Sequence, residues 1–249
     1  LHSFFWLFTL DLKSSNKITQ NVIYNWIEEN YKYNQDIWNL DILSKRIIAW
    51  ISNSRLTYEN ADTNYRLYFN NLIKKQTNHL INEIQRSEKL DDKIIGCTAI
   101  ILVGLSYGDT YYLKFGTDLL KKLLNFSLDS SNFPRSRNPR QLVFYLKYLI
   151  IIRELLKESQ TIVPDFLDEN IFYLGKSYNL LCANKQNGML FNGNFQDSNH
   201  DFDDYLRFHK YKFKDDSNEI GGYVVLKNKK SFLAIDIGKA PEKKFSKDY

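Results

Sequence analysis

Residues 90–107 read Leu-Asp-Asp-Lys-Ile-Ile-Gly-Cys-Thr-Ala-Ile-Ile-Leu-Val-Gly-Leu-Ser-Tyr, a helix-length segment that is apolar almost all round. A helix of that kind has no face to give to water, so other elements must surround it. Its longest apolar run, Ile94 to Leu105, is broken by Gly96, Thr98 and Gly104 and is shorter than the roughly 20 residues a membrane-spanning helix needs. The segment is therefore expected at the centre of a helical domain, and no membrane span is expected.

The neighbouring segments supply the surrounding layer. Ile18, Val22, Ile23, Trp26 and Ile27 recur at helical spacing within 16–33. Asp36 is positioned to cap a second helix burying Ile37, Leu40, Leu43, Ile47, Ile48 and Ile51 and ending before Thr57. A third runs from about Asp62 to Arg86, and Asp109 opens a fifth. Asn138-Pro139 pairs a capping side chain with proline at the first helical position of a sixth. Pro164 begins a seventh, expected to stop near Asn187-Gly188, where glycine permits a left-handed helix end. Such helices must bury their apolar stripes on one another, as a bundle or as a ring of helical hairpins.

Composition changes after Gly188. Residues 196–218 are rich in Asp, Asn and His and read as a connector with a short helix around Asp201 to His209. Gly221-Gly222 precedes two strands, Tyr223 to Leu226 and Phe232 to Ile237, around the polar turn Lys227 to Lys230. The expected organisation is a helical domain over 1–198, a connector over 199–220 and the start of a β domain over 221–249. Leu1 in place of Met and a β pattern still open at Tyr249 lead us to expect a piece of a longer protein.

Asn78 and His79 stand side by side on the third helix, with Asn82 one turn on from Asn78. An amide donor beside an imidazole that titrates near neutrality can serve proton abstraction next to a carboxylate. Asparagine is a poor mid-helix residue, so two on one face suggest a polar cleft. The plain alternative is a surface or capping histidine. Arg135, Arg137 and Arg140 crowd a loop that enters the sixth helix, where guanidinium forks and the helix N-terminus both favour anions. The alternative there is a solvated basic loop.

The formal net charge of +5 comes from scattered lysines, and no nucleic-acid-binding signature accompanies it. Cys97 and Cys182 sit in apolar helical contexts, which disfavours a disulfide framework. His200 and His209 with Asp197, Asp201, Asp203 and Asp204 have the composition of a divalent-metal site without a recognised ligand spacing, and neither metal nor cofactor is expected. Of the four tryptophans, one or two are expected to touch a ligand. A glycine-rich phosphate loop, a nucleophile elbow and an HExxH motif are all missing from the sequence.

Taken in order, several short segments resemble the heparinase II/III family of polysaccharide lyases. They are Leu1-His2-Ser3-Phe4-Phe5-Trp6-Leu7, the Trp38, Arg46, Trp50-Ile51 pattern, Thr77-Asn78-His79-Leu80 with Asn82, Ser136-Arg137-Asn138-Pro139, Phe195-Gln196-Asp197-Ser198, and Gly222-Tyr223 with Asp236-Ile237-Gly238. The resemblance implies an (α/α) toroid of helical hairpins followed by the first strands of an antiparallel β-sandwich, located in the periplasm or cell envelope. It implies β-elimination at a uronic acid of an acidic polysaccharide, heparin-, heparan- or alginate-like. In that chemistry Asn78 shields the substrate carboxylate and His79 is the base or a second donor. Asn82, Arg135, Arg137, Arg140 and Gln141 then line the substrate. The resemblance departs at Gln141, where many active relatives have a tyrosine and where glutamine is no general acid. Tyr145 and Tyr148, further along that helix, and Tyr111 are the substitutes to look for. The second expectation, from a different class, is a non-catalytic protein that binds an acidic glycan or the cell envelope.

Overall fold

The structure, a computed structural model, describes residues 2–11, 13–182, 191, 200–214, 217–228 and 231–245. It is mainly helical, with a small antiparallel sheet near its end. The described helices are α1 (Asn16–Asn30), α2 (Leu40–Ser52), α3 (Ser54–Thr57), α4 (Thr63–Glu83), α5 (Leu90–Tyr107), α6 (Thr110–Ser127), α7 (Pro139–Glu158), α8 (Asp165–Leu181) and α9 (His200–Phe208). The strands are β1 (Glu219–Ile220), β2 (Tyr223–Lys227) and β3 (Phe232–Asp236). Among the described residues no helix is long and apolar enough to cross a membrane.

The chain packs as two compact units, Leu1–Leu120 and Lys121–Tyr249, divided within α6. The sequence-based divisions at 198 and 220 follow the change from helix to strand, whereas this one follows packing.

In the first unit α5 is buried from Ile94 to Gly104 and packs chiefly on α2, as its all-round apolarity requires. Glycine lets α6 come close to it: a Cβ built on Gly104 falls 2.6 Å from the Leu113 backbone nitrogen, and one on Gly116 falls 2.7 Å from Ile101. Phe4, Trp26, Trp50 and Phe69 form a contiguous aromatic core, with Phe4 set edge-on to both Trp26 and Trp50 and Trp50 stacked on Phe69. Arg46 is fully buried among them. Its guanidinium lies 4.4 Å over the Trp26 ring and donates to the carbonyls of His2 and Ile37 and to Gln76 Oε1. Burial lowers its pKa to about 9.

Two expectations change here. The buried face of α1 is Thr19, Ile23, Trp26 and Ile27, while Ile18 and Val22 are exposed, so the stripe is rotated by one position. Asn39, not Asp36, caps α2, accepting from the Asp41 backbone N–H. Residues 35–37 are turn, Trp38 N–H donates to the Asn34 carbonyl, and Trp38 is buried just before the helix begins. Asp62 and Asp109 cap α4 and α6 through the amides of Tyr65 and of Tyr111 and Tyr112, respectively, as the sequence leads one to expect.

In the second unit α7 and α8 pack together, and Asn138 with Pro139 starts α7 as expected. The expected end of α8 at Asn187-Gly188 lies outside the described residues, and the described helix ends at Leu181. Helix α9 occupies the expected connector and buries Phe202, Asp203 and Leu206, with Tyr178 Oη donating to the Asp203 carboxylate. The sheet order is β1-β2-β3. Ile220 pairs with Tyr223 around Gly221-Gly222, and both glycines have positive φ, the requirement of a two-residue hairpin. Strand β1 is two residues long, which is why no alternation announced it. Val224 opposes Ile235 and Leu226 opposes Leu233, so these share one sheet face. That face is aliphatic, and Leu226, Leu233, Ile235 and the following Ile237 are exposed.

Candidate active site

Helix α4 presents a polar stripe made by Lys75, Asn78, His79 and Asn82, spaced i, i+3, i+4 and i+7. Its opposite side, Phe69, Leu72, Ile73, Gln76, Thr77 and Leu80, is buried, which fixes the rotation of the helix. Asn78 and Asn82 are exposed and His79 is half-buried.

Asn78 meets Tyr112 of α6. The Tyr112 hydroxyl donates to Asn78 Oδ1 at 2.7 Å, which leaves the two N–H groups of the amide as donors. Tyr112 is almost fully buried, while its neighbour Tyr111 is exposed. Burial and the nearby Asp109 push the Tyr112 phenol up, so it keeps its proton at neutral pH. The sequence points to Tyr111, Tyr145 and Tyr148 and not to this residue. A signal was present: Tyr112, Gly116, Leu120 and Leu123 recur at helical spacing and are the buried side of α6.

His79 leans the other way, since consecutive helix residues lie about 100° apart. Its ring sits 5.3 Å from that of Tyr33 and edge-on to Trp38 at 5.4 Å. This apolar surround lowers the imidazole pKa below its ordinary value, with Glu83 opposing the shift. The neutral imidazole is therefore the dominant form at pH 7. Lys75 completes the wall, its Nζ bound to the Tyr31 carbonyl at 2.8 Å and lying 4.0 Å over the Tyr31 ring. Asn82 contributes an exposed amide one turn beyond Asn78. Trp38, the tryptophan of this wall, touches His79, whereas Trp26 and Trp50 belong to the core.

The arginines belong to the second unit. Arg137 is occupied internally: it donates to the carbonyls of Gly221, Gly222 and Lys239 and pairs with Asp236. Its guanidinium lies 4.9 Å over the Tyr223 ring, and Tyr223 Oη donates to the Arg137 carbonyl. Arg137 thus ties the entry of α7 to the sheet. Arg135 donates to the Leu128 carbonyl and lies over Phe245. Arg140 is exposed on the first turn of α7. Gln141 is buried and accepts from Ser136 Oγ at 2.6 Å, part of the structure that starts the helix. Tyr145 and Tyr148 are buried in α7.

Asp197 lies outside the described residues, as does the His200 side chain. Asp204 pairs with Arg207, and the His209 ring lies tilted 4.5 Å from that of Tyr205. Among the described residues no three His, Cys, Asp or Glu side chains gather as metal ligands. Cys97 and Cys182 are buried and form no disulfide, and burial pushes the Cys97 thiol up.

No protein-family model, curated protein or solved structure matches this chain.

Proposed function

We propose that the protein is a polysaccharide lyase that cleaves an acidic glycan by β-elimination at a uronic acid, in the manner of the heparinase II/III family it resembles. The observation that carries this reading is the Tyr112 hydroxyl held 2.7 Å from Asn78 Oδ1, on a helix whose following residue, His79, has an imidazole kept neutral by its packing on Tyr33 and Trp38.

The chemistry follows from those groups. The N–H donors of Asn78 engage the uronate carboxylate, and as negative charge builds toward the enolate-like state their hydrogen bonds strengthen. That gain in the transition state, and not binding itself, accelerates the reaction. Neutral His79 takes the C5 proton. The C5–H electron pair becomes the C4=C5 double bond, the C4–O4 bond breaks, and O4 receives the Tyr112 proton. At neutral pH the phenol holds its proton and can donate it, and the imidazole is neutral and can accept one. Lys75 adds positive charge at the His79 wall. Asn82, exposed one turn beyond Asn78, is assigned to an acidic substituent of the glycan. An (α/α) toroid and a β-sandwich belong to the same proposal, and the exposed aliphatic face of β2 and β3 supports the sandwich because a second sheet would cover it.

A non-catalytic acidic-glycan binder is the second reading. Gln141, buried on Ser136 where a tyrosine would be wanted, favours it. The test is the ultraviolet absorbance of unsaturated uronate on incubation with heparin, heparan sulfate, alginate and hyaluronan. Under the lyase reading absorbance rises with at least one glycan and is abolished in His79→Ala and strongly reduced in Tyr112→Phe. Binding with no rise in the wild type establishes the second reading instead.

A further inference from the structure

The first unit carries a cavity of about 490 Å³, within the range of small-ligand sites, whose lining includes Trp50, Tyr58, Phe69, Asn70, Ser106 and Tyr107. It lies apart from the Asn78–His79 pair, because Asn70 precedes Asn78 by eight residues, about 12 Å along α4. Its polar groups are organised. Tyr107 Oη donates to Asn70 Oδ1 at 2.8 Å, and Asn70 Nδ2 donates to Tyr58 Oη at 3.0 Å. This chain fixes the Asn70 amide by both ends and leaves its second N–H and the Tyr58 hydroxyl proton for a guest. Behind it the aromatic packing is rigid: Trp50 and Phe69, both buried, stack at 5.4 Å, and the more accessible Tyr58 leans on Phe69 at the same distance. Arg66 steadies Tyr58 from 5.1 Å over its ring.

None of the lining side chains carries a charge at neutral pH. An anionic guest would find no counter-charge in the lining. A purely apolar guest would strip water from the amide and hydroxyls without replacing it, which is costly. A guest with apolar C–H faces and a ring of hydroxyls meets both demands. We infer that the Trp50–Tyr58–Asn70–Tyr107 cavity binds an uncharged pyranose ring. This does not rest on the lyase reading, and the two fail separately, because the cavity is read by binding of a neutral sugar and the lyase reading by elimination from an acidic one.

The test is saturation-transfer NMR on the purified protein with methyl β-D-glucopyranoside, methyl β-D-galactopyranoside, methyl α-D-mannopyranoside, glucuronate and phenol as probes. Transfer to the ring C–H protons of at least one neutral pyranoside, stronger than to glucuronate or phenol, is expected. Asn70→Ala should weaken that binding about tenfold, the worth of one or two neutral hydrogen bonds. Tyr107→Phe keeps the ring, releases the Asn70 amide and should weaken binding in the same direction, so the inference stays testable if Asn70→Ala does not fold. No transfer to any neutral pyranoside, equal transfer to glucuronate or phenol, or unchanged binding in a folded variant overturns it.

Discussion

Replacing Arg137 by alanine separates two roles for the same guanidinium, a clamp on substrate and a tie inside the protein. The wild-type side chain makes three hydrogen bonds to the carbonyls of Gly221, Gly222 and Lys239 and one ion pair to Asp236, with only 12% and 25% of the paired side chains exposed. Breaking a buried charge pair by removing one partner costs about 3–5 kcal/mol, and hydrogen bonds to a charged group are worth about 1.5–3 kcal/mol each. Water can reach the freed carbonyls and Asp236 at the sheet's end, so the lower end applies, about 3 kcal/mol. That equals roughly a hundredfold change in the equilibrium for opening the β2–β3 hairpin. Amide hydrogen exchange read by mass spectrometry on peptides covering Tyr223–Asp236 measures it directly. Arg137→Ala should exchange about a hundredfold faster there, and Arg137→Lys should recover little, because an ammonium cannot reach four acceptors as the guanidinium fork does. Unchanged protection together with lost glycan binding would refute the internal role and return Arg137 to the substrate.

Three further outcomes are expected. The pH profile of turnover should rise through the His79 pKa below the ordinary imidazole value near 6.5 and stay level across neutrality; Trp38→Ala, by admitting water to the ring, should move that limb to higher pH, and an unmoved limb would remove His79 as the base. Because the folded-state pKa is the lower one, the unfolded chain binds more protons, so the stability tied to His79 is present above the unfolded pKa and declines as pH falls through it, which acid titration of the melting temperature checks. Gly238→Ala would place a Cβ 2.5 Å from Arg137 Nη2, and a loss of about 1–3 kcal/mol is expected in denaturant unfolding; a neutral result would mean that the guanidinium can step aside.

Local chemistry was well written in the sequence. Asp62, Asp109 and Asn138-Pro139 announced three helix starts, and each behaves as its side chain dictates. The all-apolar 90–107 segment foretold a central helix. What escaped was whatever depends on partners distant in the chain. The one-position rotation of α1 is set by what packs against Trp26, including Phe4 and Arg46. Trp38 is buried as its own hydrophobicity demands, yet its burial delays the start of α2 to Asn39.

The candidate site divides in the same way. Asn78, His79 and Asn82 were visible as a polar group one turn long in the second half of α4, whereas the sequence points to Tyr111 and not to its neighbour Tyr112, although the period of α6 marks Tyr112 as the inward one. The arginine-rich loop looked like an anion site because composition counts guanidiniums and not the carbonyls waiting for them, and Arg137 meets those carbonyls some 84 residues later in the chain.

Whether Asn78, His79 and Tyr112 break a C–O bond by elimination is decided by mass spectrometry of the oligosaccharides released from an acidic glycan. Elimination leaves one fragment with an unsaturated uronate at its non-reducing end, lighter by one water than the fragment hydrolysis would leave. The lighter fragment is expected from the wild type and should disappear in His79→Ala; fragments of hydrolytic mass, or an intact glycan that nevertheless binds, would rule elimination out.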